Sequence, residues 1–499
     1  MAPLPNRLRC GVRVSPGGRR SRTLAILTLV AVALAGCTLG PDFTQPAAPE
    51  TDRYNVNGDP TAAIGAGAGT QWIEVGKAPD AQWWRFYQSP ELDAAVDAAV
   101  TSNLTLQIAE ARLRQSKDAL QAGKGVFYPQ LSVSLDQTRQ NYNPAIVGAQ
   151  SGSGVFNLTT VSANVSYVLD VFGANRRAVE SLGAQVEAQR ANVRAAYLIL
   201  TGNITNTIMT IGAYSDLIAE IRALITLEGE QLAIDEKRYR AGLADFSAVL
   251  ATRNAIATLE ASLQPLRQQL TQAEHLLAAL EGKETGAWSA PAVHLSSLTM
   301  PQSVPLSLPS QLVKQRPDIL LAEANLHSAS ATVGVATAAL LPTFSITGNM
   351  GDISTSMSNL FGGSGGIWGF GGSILAPVFN GGTLTAQRQA AIDAFEASGL
   401  TYRQTVIVAI AQVADCIKAI EHDALAVRAQ TQAQAAAGQS LMLAQASFSG
   451  GTSNYLTVLT AQITLAQANV NLIQARAQYF QDTTALIVAL GGGWWDHEL

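Results

Sequence analysis

From Pro129 onward, hydrophobic and polar residues alternate one for one. Leu131, Val133 and Leu135 are interleaved with Ser132, Ser134 and Asp136. After a polar, Gly-rich stretch at about 140–155, Val161, Ala163, Val165, Tyr167 and Leu169 alternate with Ser162, Asn164 and Ser166. A period of two predicts a strand pair, 126–142 and 155–171. The pattern returns later. Phe344, Ile346 and Gly348 alternate with Ser345, Thr347 and Asn349, and beyond 350–366 Trp368, Phe370, Gly372, Ile374 and Ala376 share one face. This predicts a second pair, 341–351 and 366–379. Each strand reaches about ten residues, the length a tilted strand needs to cross a bilayer. One face is apolar and the other small or polar, as lipid outside and water inside would require.

Around the strands the period changes to that of a helix. Leu92, Val96, Val100, Leu104, Ile108 and Leu113 predict a helix over 91–124. No proline occurs between 145 and 264, nor after 377. Residues 174–240 and 383–448 each read as one continuous helix, at 1.5 Å per residue about 100 Å long. Such helices outgrow a compact globule and must pack side by side as a coiled-coil-like wall. Their abundant Ala permits close approach, and their Gln, Asn, Thr and Ser suit a face wetted by water. Shorter return helices, about 243–282 and 453–490, complete two hairpins. Pro265 is expected to kink the first, whereas its counterpart near Gln474 imposes nothing.

The chain thus contains one pattern twice, about 210 residues apart. Tyr128-Pro129-Gln130 returns as Leu341-Pro342-Thr343, and Val171-Phe172-Gly173 as Val378-Phe379-Asn380. Tyr239-Arg240-Ala241-Gly242, with Asp245-Phe246 and Val249-Leu250, returns as Phe448-Ser449-Gly450-Gly451, with Asn454-Tyr455 and Val458-Leu459. The first repeat spans 91–283, with its long hairpin at 174–283. The second spans 310–491, with its hairpin at 383–490. The Pro-rich stretch 284–309 links them as an equatorial element, and 492–499 is a tail. Four strands cannot close a sheet, and open edges are forbidden in lipid. Eight strands give a barrel filled by side chains, so several chains must combine for a channel.

The front end carries Arg7, Arg9, Arg13, Arg19, Arg20 and Arg22 and no acid, then an apolar run from Leu24 to Ala35. That run is too short to span a bilayer and reads as a signal peptide, 1–36. It ends in Leu34-Ala35-Gly36-Cys37, the form of a bacterial lipobox. Such a box predicts a diacylglyceryl group and then an N-acyl chain on Cys37, against the simpler alternative of an ordinary signal with a chance cysteine. Thr38 in place of Asp is compatible with sorting to the outer membrane. Residues 37–90, rich in Pro, Gly, Ala and Thr over 41–80, read as a lipidated tether.

Net charge is −5, about −11 without the signal's arginines, which argues against a nucleic-acid partner. Of the three cysteines, Cys10 leaves with the signal, Cys37 is spoken for, and Cys416 reads as a packed residue. No apolar run of about 18 residues follows the signal, so no transmembrane helix is expected. The five histidines (275, 294, 327, 422, 497) are dispersed, without metal-ligand spacing. The Gly-rich run 362–372 lacks Gly-Lys-Ser/Thr and reads as a loop entering a strand. Trp83-Trp84-Arg85-Phe86-Tyr87 reads as a packing plug. Neither an enzyme nor a cofactor is expected, the acyl chains on Cys37 apart. Two turns stand out: Arg240-Ala241-Gly242-Leu243 and Gly450-Gly451-Thr452. Glycine there either serves only the turn or belongs to an exposed tip that docks a partner hairpin; the residues leave both open.

Several motifs together resemble a known family. They are the lipobox, Trp84-Arg85-Phe86-Tyr87, Arg316-Pro317-Asp318-Ile319, the stretch Gly451-Thr452-Ser453-Asn454-Tyr455-Leu456-Thr457-Val458-Leu459 with Ala461-Gln462, and Ala489-Leu490-Gly491-Gly492-Gly493-Trp494. With them 80–495 resembles the outer membrane factors (TolC/OprM-like), specifically the NodT-type efflux lipoproteins. The resemblance implies an α+β membrane protein: a homotrimer with a twelve-stranded β-barrel, four strands per chain, continuous with a long periplasmic α-helical barrel. It implies a passive exit duct for small molecules, docked on a periplasmic adaptor through Arg240, Gly242, Leu243, Gly450, Gly451 and Thr452, with an inner-membrane pump of the resistance-nodulation-division class. It also implies a periplasmic aperture closed by charged contacts. Here the chain departs from the family: Thr460 and Ile463 stand where Asp and Arg are common, and Phe448 where Tyr is. Thr457, Thr460 and Ile463 would then form a weaker hydrogen-bonded or apolar constriction, with Asp245 and Arg253 the nearby charges. A resting gate less sensitive to pH and salt is expected. Two alternatives are an outlet for type I protein secretion and a lipid-anchored trimeric fibre without a lumen.

Overall fold

The computed structural model describes residues 38–56, 58–59, 71–142, 154–363 and 365–494. In chain order the main elements are β1 (Trp72–Val75), α1 (Pro90–Ser102), α2 (Leu104–Lys124), β2 (Gln130–Tyr142), β3 (Gly154–Leu169), α3 (Ala174–Arg240) and α4 (Phe246–Leu280). Then come β4 (Ser303–Leu306), α5 (Pro309–Gln315), α6 (Pro317–Ala338), β5 (Thr343–Ser354), β6 (Gly366–Leu375), α7 (Thr383–Ser449) and α8 (Tyr455–Ala489). Helices α3 and α7 have 67 residues each, α4 and α8 35 each. One shift of 209 residues takes Ala174 to Thr383 and Phe246 to Tyr455, so the hairpins of the two repeats superimpose in sequence without a gap.

The chain divides into two compact units. The first comprises Met1–Phe43, Leu120–Gly183 and Ser328–Phe395. Its centre is an antiparallel sheet in the order β2-β3-β5-β6. The register aligns the hydrophobic residues across all four strands: Val133 opposite Ala163, Ala163 opposite Met350, Met350 opposite Trp368. Leu131, Val165, Gly348 and Phe370 form the next such row. Because side chains alternate between faces, the opposite face carries Ser134, Ser162, Asn349 and Gly369 and their neighbours. Hydroxyl contacts bridge it between Ser134 and Ser162 (3.1 Å) and between Ser345 and Ser373 (2.7 Å).

Six strand bounds differ from expectation: β3 runs from Gly154 to Leu169 rather than 155–171, and β5 starts at Thr343 rather than 341. β2 starts at Gln130, not 126, because Gly125–Phe127 is a 3-10 turn and Pro129 offers no N–H. β5 runs on to Ser354, where Ile353 N–H donates to Gly365 O. β6 stops at Leu375, two residues before Pro377.

The second unit comprises Thr44–Ala119, Ala184–His327 and Glu396–Leu499. Here α4 packs on α3 through Thr252 and Asp235, α8 on α3 through Tyr455 and Glu230, and α7 on α8 through Gln434 and Asn469. A core cluster joins Leu217, Ile221 and Leu224 of α3, Leu263 of α4 and Val470 of α8. Trp83, Trp84 and Tyr87 are buried; the Tyr87 hydroxyl meets Thr484 at 2.8 Å. Helix α4 continues through Pro265. By length and mean composition α8 passes for a membrane-crossing helix, but it holds no unbroken apolar run of the expected kind, since Thr, Gln and Asn recur along it.

The helix expected over 91–124 is two. Asn103 interrupts it with extended backbone (φ −64°, ψ 122°). Its side-chain oxygen accepts from Leu106 N–H, while its amide donates to Leu280 O, at the end of α4. Arg316 interrupts the second copy in the same way, ahead of Pro317, which disfavours helix at the preceding residue. Its guanidinium donates to Ala489 O, at the end of α8. Each repeat therefore caps its return helix with the residue that breaks its entry helix. The expected tether and linker are also not free: β1 pairs in parallel with β4, Trp72 with Ser303 through Val75 with Leu306.

Candidate functional site

Both hairpins of the second unit end in the same turn. Leu243 N–H donates to Arg238 O and Gly242 N–H to Tyr239 O. Thr452 N–H donates to Ser447 O and Gly451 N–H to Phe448 O, the same bonds shifted by 209 residues. This is a Schellman closure, which needs a left-handed residue. Gly242 and Gly451 supply it at φ 72° each, and a β-carbon at either would touch nothing within 4 Å. Backbone conformation alone requires glycine there. An aromatic pair braces each turn: Tyr239 on Phe246 at 5.1 Å and Phe448 on Tyr455 at 5.6 Å. Leu243 stays 71 % exposed, and Arg240, Gly450 and Thr452 are exposed too. Both turns thus present exposed residues above an aromatic pair.

The charges near the first turn are satisfied locally. Glu236 accepts from Arg253 at 2.7 Å and from Arg240 at 3.3 Å. Arg253 therefore pairs with Glu236 rather than Asp245, which precedes α4 with its side chain uninvolved in capping. At the second turn Asn454 accepts from Thr457 N–H (3.1 Å), and the Tyr455 hydroxyl donates to Glu230 (2.9 Å). Its phenol is held above its usual range by that bond.

Along α8 runs an exposed stripe: Thr457, Thr460, Thr464, Gln467, Asn471, Gln474 and Gln478. The spacing alternates three and four, so these positions share one face. Every member carries a hydroxyl or amide and none a charge. Thr460 and Thr464 donate their hydroxyls to Leu456 O and Thr460 O, which leaves outward lone pairs. Ile463 does not belong to the stripe. It packs on the α3–α4–α8 cluster beside Leu217, Leu263 and Val470. The expected grouping of Thr457, Thr460 and Ile463 is thus separated: two threonines lie on the wet face and the isoleucine in the core. A 100° step per residue turns 463 away from 457 by about 120°.

Sequence reasoning missed three features. The braces Tyr239–Phe246 and Phe448–Tyr455 were legible as one seven-residue spacing seen in both copies. In the first unit, Thr38 to Asp42 lies in a cradle. Buried Arg177 donates to Leu39 O, Asp42 and Glu180, and a β-carbon on Gly173 would strike Thr38. This fixes the residue after Cys37; Cys37 itself and Leu34, Ala35 and Gly36 lie outside the described residues. In the second unit, Asp423 of α7 meets Asp482 of α8. Burial, and then Asp482, push the Asp423 carboxyl up to about 7. Burial similarly drives the Cys416 thiol up to about 11. Among the described residues no His, Cys, Asp and Glu group could hold a metal.

Comparison with known proteins agrees with this architecture. The profile of the outer membrane efflux protein family matches residues 95–283 and 308–492, one segment per repeat. A pyoverdine export outer membrane protein of Pseudomonas putida, OpmQ, is 29 % identical over 87 % of this chain and 93 % of its own length. The cation efflux system protein CusC of Escherichia coli is 28 % identical over 93 % and 97 %. Among solved structures, the outer-membrane channel OprN superimposes with a TM-score of 0.80 at 24 % identity, over 92 % of this chain and all of that one. The open-state MtrE outer membrane channel of Neisseria gonorrhoeae gives 0.74 at 26 % identity, over 92 % and 98 %. With the profile covering both repeats and the fold shared from end to end, this chain belongs to the outer membrane efflux protein family.

Proposed function

We propose that three copies of this chain form a passive exit duct through the outer membrane. The observation that carries the reading is the sheet: one face is apolar across all four strands, the other is small and polar, and among the described residues β2 and β6 each have a free edge. Trp368, Phe370 and Ile374 are 83 %, 77 % and 68 % exposed, a face suited to lipid. The four strands alternate in direction, so β6 of one copy can pair antiparallel with β2 of the next. Three copies give twelve strands and a lumen; fewer give open edges or a filled barrel.

The helical hairpins then form a tube through the periplasm, with the α8 stripe toward its water. An uncharged lining of hydroxyls and amides discriminates little among solutes. That fits relatives named for export of pyoverdine and efflux of cations, and supports a reading in which substrate choice lies upstream, in an inner-membrane pump of the resistance-nodulation-division class. The braced turns, with Arg240, Gly242, Leu243, Gly450, Gly451 and Thr452, form the surface for a periplasmic adaptor. The cradle around Thr38–Asp42 holds the segment after Cys37, whose acyl chains would anchor the chain to the outer membrane.

Planar-bilayer conductance of the purified protein tests the reading. Small, flickering currents are expected, with cation preference increased by Thr460→Asp, which would place a ring of carboxylates on the wet face. Inserted trimers that pass no current would leave a lipid-anchored fibre instead. Passage of an unfolded polypeptide but not small solutes would favour a protein-secretion outlet.

A further inference from the structure

Residues 130–169 and 343–375 hold the four strands of the sheet and the segment between the strands of each pair. Together they contain three charged residues: Asp136, Arg139 and Asp352. The register sorts them by face, because side chains alternate along a strand. Asp352 stands opposite Val161, and Val161 opposite Leu135, so Asp352 belongs to the apolar face. Arg139 lies four residues beyond Leu135 on β2, opposite Asn157, and is on that same face. There the two charges balance. Asp136 stands opposite Thr160, and Thr160 opposite Ile353, on the face that carries Ser134, Ser162 and Asn349. Among the described residues, the polar face of the sheet thus holds one charged side chain per chain, an exposed carboxylate with no basic residue on its face.

Its level along the sheet is also defined. Strands β3 and β6 run on towards α3 and α7 from Leu169 and Leu375. The rows of the polar face nearest that end are uncharged: Gln130, Ser166 and Thr347, then Ser132, Asn164 and Asn349, then Ser134, Ser162 and Gly351. Asp136 follows one row later, level with Ile353 and one step beyond Gly366, where β6 begins. It therefore stands at the end of the sheet away from the long helices, and in the duct reading this is the outer mouth. The segments 143–153 and 355–365, which join the strands at that end, contain no charged residue.

We propose that Asp136 gives the duct its charge preference: three copies set three carboxylates around one level of the bore, where they admit cations and hold back anions. The inference rests on the three-copy duct proposed above and adds the class of solute that its barrel favours. Twelve strands about 4.8 Å apart, tilted by about 40°, make a wall about 24 Å across, which leaves each carboxylate roughly 10 Å from the axis. That distance is about one Debye length at 0.1 M salt and about three at 1 M. Three unit charges so placed in water favour K⁺ over Cl⁻ at the axis by about fivefold at 0.1 M and by less than about 1.3-fold at 1 M. A bulky organic cation, which passes closer to the wall, gains more than K⁺.

Reversal potentials of the purified full-length protein in planar bilayers, under KCl gradients near 0.1 M and near 1 M, test the assignment. Wild type should prefer K⁺ by about fivefold in the dilute salt and lose the preference in the concentrated one. Asp136→Asn, which keeps the shape and removes the charge, should bring the dilute-salt ratio close to one. Asp136→Glu should retain the preference, and Asp136→Arg should turn it towards Cl⁻. Asp352→Asn, on the apolar face, should leave it as in wild type. A ratio in Asp136→Asn equal to that of wild type, or moved as far by Asp352→Asn, overturns the assignment and leaves the duct standing. Inserted wild-type protein that passes no current overturns the duct reading and the assignment together.

Discussion

Arg316 and Asn103 occupy equivalent places but hold their helix ends by different means, and the difference has a size. The Arg316 side chain is 10 % exposed and donates to Ala489 O at 2.8 Å and Gln412 at 2.8 Å. Each bond to a charged donor contributes about 1.5–3 kcal/mol, and truncation leaves both acceptors without it. Asp318 is 47 % exposed, so its ion pair adds little. Arg316→Ala should then cost about 3–4 kcal/mol at the end of α8, where the positive charge also favourably meets the negative end of the helix dipole. Asn103 makes two neutral bonds, to Leu280 O (2.8 Å) and from Leu106 N–H (2.9 Å). Asn103→Ala should cost about 2 kcal/mol at the end of α4. Hydrogen exchange of the full-length protein in detergent reads both ends separately. At about 1.4 kcal/mol per tenfold, peptides near 484–492 should exchange roughly 150- to 700-fold faster in Arg316→Ala. Peptides near 275–283 should exchange about 30-fold faster in Asn103→Ala. Arg316→Lys should fall between wild type and Ala, since it keeps the charge but loses the fork. Equal protection in Arg316→Ala and wild type, or a larger loss in Asn103→Ala, would refute the assignment of α8's anchorage to the guanidinium.

Thr460→Asp, on the wet face, should leave thermal stability within about 0.5 kcal/mol while changing conductance. Ile463→Arg, in the core cluster, should lower stability by about 2–4 kcal/mol; calorimetry showing the reverse order would overturn the separation of the two. At Gly451, Ala should weaken the turn by about 1 kcal/mol and Asn much less, because only the left-handed conformation matters. A pull-down of adaptor protein by Gly451→Asn should match wild type, and its loss would show that the glycine itself is recognised. For Asp423 the sign follows from its raised pKa. The native pair keeps a proton that the unfolded chain releases, so this contribution to stability is complete below the usual 3.8 and is lost as pH rises through about 7. Thermal unfolding from pH 5 to 8 should therefore show a decline that Asp423→Asn removes; an identical decline in the variant would place its origin elsewhere.

The hydrophobic pattern alone determined much of this protein. Strand alternation located both pairs to within a few residues, because a sheet wetted on one side and greasy on the other must alternate. Absence of proline located the long helices: the first has the expected bounds, Ala174–Arg240, and the second ends one residue later than expected, at Ser449. The repeat was legible because its landmarks are the glycines and prolines that backbone geometry demands. Tertiary structure alone decided which way each residue of α8 faces. Thr460 and Ile463 differ by three positions, and both suit a helix anywhere on its circumference; only the presence of α3 on one side sends the isoleucine inward. Asn103 read as one more residue of a continuous helix, and Arg316 only as part of a motif, until the carbonyls of Leu280 and Ala489 arrive from 177 and 173 residues away to receive them. The pattern along a chain records what each segment must bury. The partner that buries it is selected by long-range packing, which no local period encodes.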